Sequence, residues 1–64
     1  MPAGTGVNVT LTFDKMVSIS RWTITRNDYG AITEVSRNGN VLVVHVINNT
    51  PNANAVSAAI TAYR

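Results

Sequence analysis

Apolar and polar residues alternate cleanly over Val7-Asn8-Val9-Thr10-Leu11-Thr12-Phe13, with Val7, Val9, Leu11 and Phe13 on one side and Asn8, Thr10 and Thr12 on the other. A period of two sustained over this stretch predicts a half-buried strand. Asp14-Lys15 makes a short polar break after it. From Met16 to Arg26 the chain stays rich in strand formers, but its parity changes: Val17 and Ile19 share one face, Trp22 and Ile24 the other. Either one extra residue near Ser20-Arg21 restores a single apolar face, as a β-bulge does, or the chain crosses there from one sheet to another. Arg26-Asn27-Asp28-Tyr29-Gly30 is turn chemistry, and Ala31 to Ser36 is a further, less regular strand.

The densest apolar segment is Val41-Leu42-Val43-Val44-His45-Val46-Ile47, entered through Asn38-Gly39. Asn-Gly predicts a two-residue hairpin of type I′, in which both central positions take a positive φ. Val41, Val43 and Ile47 point one way with His45, while Leu42, Val44 and Val46 point the other. A strand with one wet face alternates; this one is apolar on both sides, so both sides call for cover. Asn48-Asn49-Thr50-Pro51-Asn52 ends it. The tail, Ala53 to Arg64, fits two periods: Val56, Ala59, Ile60 and Tyr63 as a helix, or Val56, Ala58, Ile60 and Ala62 as a strand. Thr50-Pro51 suits a helix start, but Asn52 and Asn54 are poor first-turn residues, and the strand is the reading taken. The predicted fold is all-β, a small antiparallel sandwich or partly open barrel of five to six strands. The alternative is α+β, a four-stranded antiparallel sheet with a C-terminal helix. Residues 1–6 read as a flexible arm and residues 7–64 as a single β domain.

Composition sharpens this picture. With 64 residues, a single core supplies only ~3–5 kcal/mol of net stability, and scaffolds of this size need a staple. There is no cysteine, which removes disulfides and zinc fingers. One histidine and three dispersed acids, Asp14, Asp28 and Glu34, do not form a metal cage, and no cofactor is implied. Association is the staple left. Only 12% of residues are charged, about half the ~25% usual for globular domains; polarity comes instead from eight Asn, eight Thr and four Ser. Such a surface suits packing against copies or partners. The net charge of +2 is no nucleic-acid signature by itself. Met1-Pro2-Ala3-Gly4 shows neither a basic nor an apolar signal region, and no apolar run approaches the ~20 residues of a spanning helix. No membrane role is expected.

Asn40 to Thr50, followed by Ala55-Val56-Ser57-Ala58-Ala59-Ile60-Thr61-Ala62-Tyr63, resembles the closing strands of the small immunoglobulin-like modules found on phage virions and bacterial surfaces. The resemblance covers about a third of the chain, which is well short of the ~100 residues typical of that fold and lacks its cysteine hallmarks. It implies a β-sandwich working in a larger assembly.

Candidate chemistry is sparse. His45, the only imidazole, would need an orienting carboxylate and a nucleophile to act as a base; Ser36, Ser57 and Glu34 could approach it across a sheet, but no nucleophile elbow is present. It reads first as a structural or interface histidine, with a pH-sensitive contact second. Arg21, Trp22, Arg26 and Tyr29 make the best case for a ligand, since basic residues track phosphates while aromatic faces stack bases. At strand spacing, Trp22 and Arg26 would share a face; equally, Trp22, Ile24 and Met16 make a plausible core face.

The resulting expectation is a non-enzymatic structural protein acting by self-association or by docking on a larger assembly, such as a phage capsid decoration or cement protein located in the virion. Leu42, Val44, Val46, His45 and Tyr63 are its expected interface. The alternatives are a cytoplasmic location and a small nucleic-acid-binding β-barrel using Arg21, Trp22 and Arg26.

Overall fold

The computed structural model describes residues 1–15 and 17–64. It contains five strands, β1 (Gly6–Thr12), β2 (Arg21–Asp28), β3 (Gly30–Asn38), β4 (Val41–Asn48) and β5 (Ser57–Tyr63), and no helix among the described residues. β1, β4 and β3 form one sheet in that order, β2 and β5 a second, and every pairing is antiparallel. The fold is thus an all-β open sandwich of three strands over two. The tail is a strand. Met16, offered above as part of a core face, lies outside the described residues.

β4 sits at the centre because it is the strand most apolar on both faces. Its inner residues Leu42 and Val44 are 0% and 1% exposed, and with Ile19 they are the buried apolar residues among those described. Leu11, Phe13, Ile32 and Val46 from the same sheet pack around them, and Trp22, Ile60 and Ala62 close the core from the other sheet. Two strands cannot roof three. The inner residues of β1 are therefore left open at its edge, Val7 at 51% exposure and Val9 at 36%. The molecule is elongated, 38 × 18 × 15 Å, and its radius of gyration of 12.3 Å exceeds the about 10.7 Å of a compact 64-residue domain.

The parity change before Trp22 is a sheet crossing. The Ile19 amide donates to the Gly39 carbonyl of the three-stranded sheet (2.9 Å), and the next amide, Ser20, donates to Tyr63 of the two-stranded sheet (2.7 Å). The bulge near Ser20-Arg21, the other reading, is found instead between Ile24 and Arg26. The chain returns at Tyr29, a single corner residue with φ of 66°. A left-handed φ is costly for an aromatic residue, and the Asn27 side chain holds the corner: its Nδ2 donates to the Gly30 carbonyl (2.6 Å) and its Oδ1 accepts from the Gly30 amide (3.0 Å).

Two expectations need correction. The β3–β4 hairpin turns on Gly39-Asn40, because Asn38 pairs with Val41. Gly39 has φ of 61° while Asn40 does not share it, the pattern of a type II′ turn, which asks for glycine at its first central position only. The turn is thus one residue later than the type I′ reading. Residues 1–6, expected as a flexible arm, are held by the fold: Gly6 begins β1, and backbone bonds run from Gly4 N–H to Asn48 C=O, Asn48 N–H to Thr5 C=O, and Asn54 N–H to Met1 C=O, at 2.9–3.1 Å.

Candidate functional site

Because β4 alternates inside and outside, its two faces have different fates. The inner face is spent on the core. The outer face carries Val41, Val43, His45 and Ile47, all half-buried, with no further layer of the chain over them. Register places Asn8, Thr10 and Thr12 of β1 on one flank and Ala31, Thr33, Ser36 and Asn38 of β3 on the other. An apolar stripe with a polar rim is the form interaction surfaces take.

The five residues expected at an interface do not share this face. Leu42 and Val44 are enclosed by the protein's own second sheet and cannot meet a partner. Val46 packs against that core. Tyr63 lies on the outer face of the other sheet, paired with Arg21, whose guanidinium stacks 4.1 Å from the Tyr63 ring centroid. Of the five, only His45 stands on the outer stripe. Parity showed which residues share a face, but not which face the shorter sheet would cover.

His45 fits a space glycine provides. A side chain at Gly6 would meet His45 Nε2 at 2.7 Å and Ile47 at 2.9 Å. The other ring nitrogen, Nδ1, is 2.7 Å from Asn8 Oδ1. The imidazole is thus braced by an amide, with no carboxylate among its hydrogen-bond partners, and the arrangement supplies orientation rather than acid–base chemistry. Among the described residues, no three His, Cys, Asp or Glu side chains come together as metal ligands.

The ligand candidates are dispersed and engaged. The bulge after Ile24 flips parity, so Trp22 points inward opposite Ala62 whereas Arg26 points outward opposite Ala59; the two do not share a face. Arg26 pairs with Asp28 at 3.0 Å, and Tyr29 is the exposed corner. Trp22 Nε1 donates to Glu34 Oε1 at 2.8 Å, which also receives Arg37 at 3.2 Å. Residues 34 and 37 would face opposite ways in a regular strand; a bulge between Glu34 and Ser36 brings both inward. Arg37 then reaches the Ser20 and Ile19 carbonyls. This cluster latches the two sheets together along the β2/β3 side.

The β1/β5 side has no such latch. Between these strands lies an apolar groove of about 340 Å³, walled by Val7, Val9, Leu11, Val46, Val56 and Ile60 among others. Sequence reasoning missed this groove, since nothing local signals that the second sheet stops at two strands. It also missed Asn48, read as a loop residue. Asn48 is 1% exposed and fully bonded: its Nδ2 donates to Met1 and Asn52 carbonyls, and its Oδ1 accepts from Thr50 N–H and O–H, at 2.6–3.2 Å. It pins the loop at the end of the groove.

Comparison with known families, curated proteins and solved structures gave no match for this chain. The strands carrying the immunoglobulin-like resemblance, β4 and β5, fall in different sheets, whereas the last two strands of that fold share one. The likeness is of sequence pattern and does not extend to pairing.

Proposed function

We propose that this protein is a non-enzymatic structural subunit that works by self-association, and that its setting is a larger assembly, such as a virion that it decorates or cements. The observation that carries this reading is the outer face of β4: Val41, Val43 and Ile47 on the central strand, with no layer of the described residues above them, in a domain with three buried apolar residues among those described. Covering such side chains at ~25 cal/mol per Å² adds several kcal/mol per subunit, comparable to the whole stability of a domain this small. The virion setting draws on size, low charge and the Thr/Asn-rich strands.

Light scattering across a dilution series tests it. The wild type is expected to be multimeric, and Val43→Asp, which puts a charge on the outer stripe without touching the core, is expected to lower the particle mass at least twofold. A wild type that stays at the mass of one chain throughout overturns the reading.

A further inference from the structure

The four outer edges of the sandwich are of two kinds. β2 and β3 carry Arg21, Arg26, Asp28, Glu34 and Arg37, and each contains a bulge. Charges and bulges are the devices by which sheet edges are kept from pairing with other chains. β1 and β5 carry no charged residue, no proline and no bulged residue of their own. β1 is the more exposed of these, with Val7 and Val9 open beside the groove.

The ladder also fixes what β1 offers. Phe13 N–H bonds to Asn40 C=O at one end and Asn48 N–H to Thr5 C=O at the other, and the register between them is unbroken. Antiparallel bonding alternates, so the odd-numbered residues bond to β4. The N–H and C=O groups of Asn8, Thr10 and Thr12 therefore point to the open edge.

We propose that β1 is a pairing edge for a second copy of this chain: two β1 strands run antiparallel across a two-fold axis and join the three-stranded sheets into one of six strands. The proposal rests on the self-association argued above and assigns a surface to it distinct from the outer face of β4. Overlap of the full strand centres the axis on Val9, with Val7 opposite Leu11 of the second copy and Asn8 opposite Thr10. Apolar residues then meet on the groove side and amide meets hydroxyl on the other, pairings that stabilise sheets. No like charges meet, because the strand has none. Overlap of the seven residues of β1 gives a ladder roughly 23 Å long at ~3.3 Å per residue. Antiparallel pairing of identical edges closes at two copies.

The test uses Val43→Asp as background, so that outer-face contacts do not contribute. In that background the protein is expected to be a dimer. Adding Val9→Cys, the chain's single thiol, is expected to give a disulfide-linked dimer as the main species on a non-reducing gel. The two Val9 positions form a non-bonded pair with Cα atoms ~4.5 Å apart, within disulfide range. Adding Thr10→Pro instead removes an edge-facing N–H but no bond to β4, as edge strands tolerate, and is expected to weaken the dimer about tenfold or more. If Val43→Asp alone is monomeric and Val9→Cys does not cross-link while the wild type is multimeric, this inference fails and the reading above stands. If the wild type is itself monomeric, both fail.

Discussion

The two long sides of this sandwich are built for different tasks. Along β2/β3 the sheets are joined by the Tyr29 corner and by the Trp22–Glu34–Arg37 cluster. Along β1/β5 the sheets meet only at one end, where Met1 and Asn54 exchange backbone hydrogen bonds, and apolar residues line an open groove beside them. The difference teaches that a chain this short cannot finish both sides. The charges carried on strands and both bulges lie where the fold closes on itself, and the uncharged strands flank the open groove. If β1 pairs as proposed, stability and association fall on opposite edges, and substitutions on each should report separately.

The largest effect is expected from Trp22→Ala, which removes both an apolar wall of the core and the donor to Glu34. A full Trp→Ala truncation costs ~3–5 kcal/mol; for this half-buried side chain about 2–4 kcal/mol is expected, close to the net stability of the domain. Urea denaturation followed by circular dichroism should show the midpoint collapsing. A loss below about 0.5 kcal/mol, the usual range for surface positions, would mean that the latched side does not hold the sheets together. Glu34→Ala is milder, about 1–2 kcal/mol, from one hydrogen bond and a third-exposed ion pair that solvent partly screens. Glu34→Gln keeps an acceptor for the indole and should recover most of it. Equal losses in the two variants would assign the effect to charge rather than to the Trp22 hydrogen bond.

How much of this was legible in the sequence follows from the range of each signal. Strand positions came from local signals: alternation for β1, the glycine hairpin and β-branched run for β4, and for β5 a period that fitted a helix as well. β1, β3, β4 and β5 lie near the segments read as strands. The crossing at Ile19-Ser20 was visible as a parity change, though parity alone did not separate it from a bulge. The bulges at Thr25 and Val35 were not visible, because Thr-Arg and Val-Ser are unremarkable strand residues; only pairing with β5 and β4 exposes the extra residue. That is why Trp22 and Arg26 were placed on one face and lie on two. Leu42 and Val44 were expected at a surface and are buried for a similar reason. Both faces of β4 are apolar, and which is covered depends on where β2 and β5, distant in sequence, come to rest. Asn48 was lost among eight asparagines, since burial of a polar residue has no local signature.

The smallest effect on folding, and the sharpest division between the two sides, is expected at Val7. It lies on the inner face of β1, yet is 51% exposed because the two-stranded sheet does not reach it. Val7→Thr keeps the β-branched shape that a strand favours and exchanges one methyl for a hydroxyl. In dilute solution, where single chains dominate, unfolding should shift by less than about 0.5 kcal/mol, as at other surface positions. At high concentration the same methyl would face Leu11 of a second copy, and its replacement should weaken association severalfold while the unfolding of the separated chain stays put. If Val7→Thr instead lowers the stability of dilute protein by as much as Glu34→Ala, the groove side is part of the folding core. The division of labour between the edges would then be wrong.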